Sequence, residues 1–516
     1  MNQRSLTTTV ALLIALGGGL LVMADPPSAS ELAKRIDQHL SAAQESSRIT
    51  PTMISSDAEF LRRIYLDLAG RIPTVAETNK FLQSDEEDKR TKLAHQLVHS
   101  GAHARHMATF WRRTWIPQAD TPEFRGLSEE FEVWLTMQLT SGLHYDEIVR
   151  QMLTVGASGD QAEANRVLLS TPESFLSASQ RQPENLAANT TRAFLGVNLD
   201  CAQCHDHPFS RWTQEQFWET AAFFARPKSS EAVSTSDFEI SMPETEKQVQ
   251  ATLFTGDEIP WPTQMYGDSG RTALADWVTQ SENPYFARNA VNRVWANFLG
   301  TGLVEPLDDL SEENPPVHPE ILEELANAFV TSEFDLKLLT EAIVLTEAYQ
   351  RSSRVSVGES AQVDPTLYAR MPVRGLSGEQ LYDSIRTAAG LPIERNDLDP
   401  TKDRDARERF TTKFFVEDAS HAERSILQSL SLMNGEATQE IVQADESPLL
   451  RTLADAPFLN DQEKVRTLYM AMLSRDPRPE EAETFARYLA AAPDKGAALG
   501  DLMWALLNSA EFNTNH

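Results

Sequence analysis

The stretch Ser55-Ser56-Asp57-Ala58-Glu59-Phe60-Leu61-Arg62-Arg63-Ile64-Tyr65-Leu66-Asp67-Leu68-Ala69-Gly70-Arg71-Ile72-Pro73-Thr74 reads as a helix with both ends marked. Ser55-Ser56-Asp57 offers capping oxygens for its first turn. Phe60, Leu61, Ile64, Tyr65 and Leu68 recur at helical spacing and share one face. Gly70 stops the helix, and Ile72-Pro73-Thr74 opens the next one. The same grammar runs outward in both directions. A polar helix is expected from Glu31 to Gln44, and further helices over Val75–Phe81 and Lys89–Val98. Phe110, Trp111, Trp115, Trp134, Leu135, Leu139 and Ile148 continue the pattern, with no alternation of period two. The fold class is therefore mainly α.

Towards the C-terminus the chain is loop-like from Gly156 to Asn185, then helical from Leu186 to Leu199. Pro227 to Gly270 is rich in Ser, Glu, Thr and Pro and reads as an irregular, partly β linker, with strands near Phe238–Met242 and Ala251–Phe254. Helices follow over Arg271–Gln280, Tyr285–Leu299, Ile321–Val330, Leu336–Tyr349 and Leu376–Ala389, the last capped by Ser377. Arg424–Met433, Asp461–Leu473, Pro479–Ala491 and Ala497–Ser509 complete the set. A chain of 516 residues exceeds what one core accommodates. The expected organisation is two helical domains: a signal peptide at 1–24, a linker and helix at 25–50, a first domain at 51–226, the linker at 227–270, and a second domain at 271–516.

The signal reading rests on Arg4, the apolar run Val10–Met23 and the small-residue site Val22-Met23-Ala24, with cleavage before Asp25. The run is shorter than the ~20 residues of a spanning helix, so no transmembrane helix is expected in the mature chain. The expected location is periplasmic, envelope-associated or secreted. A net charge of −30, from 76 acidic against 46 basic residues, repels nucleic acid and anionic lipid. Nucleic acid is therefore not an expected partner. An exported protein built on disulfides carries several dispersed pairs. This chain has two cysteines in all, three positions apart.

Those cysteines lie in Asp200-Cys201-Ala202-Gln203-Cys204-His205-Asp206-His207-Pro208-Phe209. Cys-x-x-Cys-His is the attachment pattern of haem c. Cys201 and Cys204 would form the two thioethers, and His205 would be the axial iron ligand. Trp212, Phe217, Trp218, Ala221, Phe223 and Phe224 are an apolar segment from which a haem wall could be built. Met107, Met137, Met152 or one of the histidines could stand on the distal side. His207 has no role in a plain cytochrome. It keeps open a haem-free Cys/His site, with zinc held by Cys201, Cys204, His205 and His207. A simple Cys201–Cys204 disulfide in an envelope scaffold or accessory protein is the third reading.

Three other sets stand out. His95, His99, His103 and His106 are spaced as a helical stripe, but Ser100-Gly101 interrupts it, which favours a solvated face. Asp308, Asp309, Glu312, Glu313, His318 and Glu320 gather on a proline-rich loop that reads as acidic surface. Asn289, Asn292 and Arg293, beside Trp295, either contact a ligand or brace neighbouring helices. The chain has no nucleophile elbow, phosphate loop or dinucleotide fingerprint. No catalytic residue is assigned.

The segment Phe194-Leu195-Gly196-Val197-Asn198-Leu199-Asp200-Cys201-Ala202-Gln203-Cys204-His205-Asp206-His207-Pro208-Phe209, followed by Arg211-Trp212-Thr213-Gln214, resembles the signature of a planctomycete cytochrome-c-like domain family. Phe60–Thr74 is similar to that family's opening motif. The family's usual companion is a planctomycete-specific domain of unknown function. Asn283–Trp295 resembles the start of that companion, and Asp501–Phe512 resembles its end. The resemblance runs from about residue 50 to the C-terminus. Together with the Cys-x-x-Cys-His motif, the expectation is a haem c protein passing single electrons to a redox partner protein or within an envelope complex. The cytochrome label of the family rests on the Cys-x-x-Cys-His element, and the companion domain carries no assigned chemistry.

Overall fold

Ser56 caps the helix that follows it, its hydroxyl accepting from Glu59 N at 3.3 Å. The structure is a computed structural model and describes residues 26–120, 125–156, 172–208, 210–227, 233–245, 247–354, 364–392, 400–414 and 425–516. The signal peptide expected at 1–24 lies outside the described residues. The N-terminal half is a run of helices: α1 (Ala29–Ser46), α2 (Asp57–Ala69), α3 (Val75–Leu82), α4 (Lys89–Val98), α5 (Gly101–Trp115), α6 (Arg125–Ser141) and α7 (Tyr145–Thr154). Gly70 ends α2 with φ +68°, a conformation that side chains disfavour. A Cβ there would stand 2.7 Å from His106 Nδ1. Thr74 then caps α3 in a reciprocal pair with Glu77.

The buried side chains form two cores. The larger runs from Ala29 to Met371, so the halves on either side of the 227–270 linker share it. The smaller contains Leu376 to Phe512 together with Leu66 and Ile72. Helix α2 thus lies between both, and every residue from Glu59 to Leu68 is buried. Its buried charged residues cannot face water and take partners inside the protein. Arg62 donates to the carbonyls of Met472, at 3.0 Å, and Phe512, at 2.8 Å. Arg63 pairs with Glu59 at 3.0 Å. Asp67 accepts from the Tyr349 hydroxyl at 2.9 Å, Arg374 at 2.9 Å and Asn515 at 2.8 Å.

The molecule is mainly helical, as expected, with small two-stranded sheets and an irregular region between the domains. In that region β1 (Glu239–Ser241) pairs antiparallel with β2 (Gln248–Gln250), Ile240 opposite Val249. The second strand therefore precedes its expected position at 251–254. Arg374–Gly375 pairs with Thr514–Asn515, which ties the end of the chain to the start of the smaller core. The helix expected over Leu336–Tyr349 is divided: Leu336–Val344 ends, and Thr346 caps a separate turn, Glu347–Gln350. The helix expected over Leu186–Leu199 is Pro183–Thr190 continued by a wide π turn, Thr191–Leu195. The loop expected from Gly156 to Asn185 instead contains a short helix, Ser174–Ala178, and the first residues of Pro183–Thr190, while its residues 157–171 lie outside the described residues. Among the described residues no helix is long and apolar enough to cross a membrane.

Candidate functional site

The chain reaches the cysteines through a reversal that only glycine accommodates. Gly196 closes the π turn at φ +64°. A Cβ there would meet Asn289 Oδ1 at 2.8 Å and Leu310 Cδ1 at 2.9 Å. The second half of the molecule supplies the surrounding clamp. Asn289 Nδ2 donates to Ala193 O at 2.8 Å, and Arg293 donates to Arg192 O at 2.8 Å and to Asn289 Oδ1 at 2.9 Å. Burial holds the Arg293 guanidinium below its usual range. Leu310 N donates to Gly196 O at 2.8 Å, and Val197 bridges Asp309. Asn292 grips Val304 instead, donating to its carbonyl at 2.9 Å and accepting its N–H at 3.0 Å. The polar set Asn289, Asn292 and Arg293 therefore braces backbone.

Beyond the reversal, Asp200–Gln203 forms a 3₁₀ turn with only Ala202 buried. Cys201 and Cys204 are exposed free thiols, not bonded to each other. His205 is exposed and His207 half-buried. The turn is pinned from beneath through its carbonyls. Gln214 Nε2 donates to Cys204 O at 3.1 Å, and Trp218 Nε1 donates to Gln203 O at 3.1 Å. Asp206 accepts Gln214 N at 2.9 Å, and His207 N donates to Trp212 O at 2.8 Å. His205 Nδ1 lies 2.8 Å from Asp206 O. A carbonyl can only accept, so Nδ1 carries the proton and Nε2 keeps the lone pair.

The donor set therefore fits a haem c: two unpaired accessible thiols and an imidazole whose Nε2 is free for iron. The aromatic segment that follows lies beneath the turn and is turned into the core, not outward around the donor atoms. Trp212, Phe217, Trp218, Phe223 and Phe224 are all buried in the larger core. Trp212 meets Phe254 edge-to-face at 5.2 Å, and Phe223 stacks on Trp261 at 6.0 Å. They point inward because the turn rests on them, so its thiols and imidazole face outward. Of the distal candidates, Met107 and Met152 are core residues and Met137 is 45 % exposed. Among the described residues, no three of the donor atoms of Cys201, Cys204, His205 and His207 lie within 4.8 Å of one another.

The other sets separate. In the acidic loop, Glu312 pairs with Arg211 at 3.0 Å and His318 contacts Thr366 O at 2.7 Å, which makes the loop a flank of the cysteine segment. The histidine stripe breaks at Ser100, which caps α5. His103 is buried, its Nδ1 3.1 Å from Leu68 O, while His95 and His99 stay at the surface.

Residues 35–229 match the family model described as PSCyt2, a protein of unknown function (DUF1549). Residues 270–424 match the model described as PSD1, a protein of unknown function (DUF1553). The PSCyt2 match precedes the PSD1 match along one chain. The PSCyt2 interval contains Cys201 to His207, and the PSD1 interval contains the Asn289 and Arg293 clamp. No curated protein and no solved structure matches the chain.

Proposed function

We propose that the chain is an exported c-type haem protein, a single-electron carrier or redox subunit working with a redox partner protein or an envelope complex. The observation that carries this reading is His205. Its Nδ1 is held by the Asp206 carbonyl, so its Nε2 stands ready beside two free thiols on a turn fixed from below. Cys201 and Cys204 would each add S–H across one vinyl group, sulfur to one carbon and hydrogen to the other, with nothing lost. When bound, the haem iron supplies one-electron chemistry. The covalent links keep the group on the chain even where the protein offers little enclosure, and the outward-facing turn leaves it open to a partner. The name of the matched PSCyt2 family supports the same reading.

The test is production in an exporting host with cytochrome c maturation, followed by a pyridine haemochrome spectrum and a haem-stained denaturing gel. A covalent haem band, lost in Cys201→Ala and Cys204→Ala, is expected. His205→Ala should retain thioethers but shift the iron spectrum. A colourless protein, made where a control cytochrome matures, refutes the reading.

A further inference from the structure

We propose that His95, His99 and Glu341 form a binding site for a divalent transition-metal ion of the zinc class, independent of the cysteine turn. His95 lies in the last turn of α4 and His99 caps its C-terminus, so the two imidazoles project from successive turns of one face. Their ring centroids are 4.2 Å apart. Glu341 comes from the helix Leu336–Val344, packed against α4, and brings Oε2 to 3.2 Å from His95 Nδ1. One donor atom from each of the three residues lies within 4.8 Å of the other two. Among the described residues this is the only set of three His, Cys, Asp or Glu groups that does so.

The spacing suits one ion. Bonds of about 2.0–2.1 Å in a tetrahedron leave neighbouring ligand atoms roughly 3.3 Å apart. The His95–Glu341 separation already has that value. The orientation is prepared as well. His99 Nδ1 lies 2.9 Å from the His95 carbonyl, so it carries the proton and Nε2 is the ligand nitrogen. The accessibility is graded: the Glu341 side chain is 14 % exposed and that of His95 63 %. The carboxylate forms the wall and the imidazoles the rim, which leaves a coordination position for water. Two neutral imidazoles and one carboxylate leave a divalent ion with net charge +1. Lys337, which lines a cavity with His99 and His103, adds to that charge and lowers the affinity. The ion would staple α4 to a helix some 240 residues later in the chain.

The competing explanation is a plain His95–Glu341 ion pair, and metal binding separates the two. The whole mature protein is stripped with chelator, then titrated with zinc chloride by calorimetry and with cobalt chloride by absorption. We expect one zinc whose affinity falls at least about ten-fold in His99→Ala and in Glu341→Gln, and is unchanged in Cys201→Ala/Cys204→Ala. The cobalt spectrum should show nitrogen and oxygen ligation without a thiolate charge-transfer band. Both ligand variants change surface or half-buried groups, and a circular dichroism melt confirms that they fold. Zinc affinity equal in wild type, His99→Ala and Glu341→Gln overturns the proposal, as does a zinc lost only with the cysteines. The latter would favour a haem-free Cys/His site at the turn, so the two sites are told apart.

Discussion

Replacing Asp67 by alanine should loosen the joint between the two cores. Asp67 is 3 % exposed and its partners come from three distant parts of the chain: Tyr349, Arg374 and Asn515. Burial pushes its carboxyl above the usual carboxylate range, against the pull of Arg374. Every partner is nonetheless an N–H or O–H donor, so the ionised form is the one that this nest fits. Removing one member of a buried pair costs about 3–5 kcal/mol, because the other charge stays behind without compensation. Arg374 keeps a second acceptor in the Asn297 carbonyl and its side chain is 12 % exposed. The lower end, about 3 kcal/mol, is therefore expected. The assay is urea unfolding followed by tryptophan fluorescence, with hydrogen exchange at Thr514 and Asn515 reporting release of the C-terminal strand. The variant Arg374→Met and the double variant complete a thermodynamic cycle. The double variant should be less destabilised than the sum by about 2 kcal/mol. A loss below about 1 kcal/mol for Asp67→Ala, or additivity within about 0.5 kcal/mol, would refute the reasoning.

Two further outcomes are expected. Burial pushes the His103 imidazole down to about 3. A folded value below the unfolded one, about 6.5, gives stability that is complete above pH 6.5 and is lost as the pH falls towards 3. His103→Gln keeps an N–H for the Leu68 carbonyl and removes that loss. Because His106 and His516 are each held at about 4 and act in the same direction, the fall in melting temperature from pH 7 to 4 should shrink without vanishing. Asn289→Ala strands the Ala193 carbonyl and removes one of the acceptors of the half-buried Arg293, at about 2–3 kcal/mol. Hydrogen exchange should then quicken over residues 191–199 first, and an unchanged protection pattern there would sink the bracing role.

Helix ends were the most legible feature because they are local. Ser56, Gly70 and Thr74 each act through atoms within a few residues, and Lys89–Val98, Asp461–Leu473 and Pro479–Ala491 run between the residues read from the sequence. The burial of α2 was not legible. Periodicity assigns Arg62, Arg63 and Asp67 to a wet face, whereas their partners are carbonyls and side chains up to some 450 residues away. The aromatic run after the cysteines is open to two readings from sequence, haem wall or core, and Trp212, Phe217, Trp218, Phe223 and Phe224 are core, since residue type alone does not tell inward from outward. At the surface cluster, the His95 and His99 spacing was visible. Glu341 was not, being one acidic residue among many on an amphipathic helix.

The two matched regions make physical sense as parts of one device. A turn that presents three donor atoms outward must be held by something other than those side chains, or each would swing freely. Here the grip is on backbone. Gln214 and Trp218 take the carbonyls of Gln203 and Cys204 from below, within the PSCyt2 interval. Asn289, Arg293 and Leu310 hold the approach from Arg192 to Gly196, and they come from the PSD1 interval. Asp308 receives Asn198 at 3.4 Å, and Glu312 reaches Arg211 on the far side of the turn. The second region therefore buttresses the first from both flanks. A fragment that stops at the linker would keep the motif and lose the clamp, along with one side of the larger core. The cysteine turn is best understood as a surface feature whose rigidity is made by the whole chain.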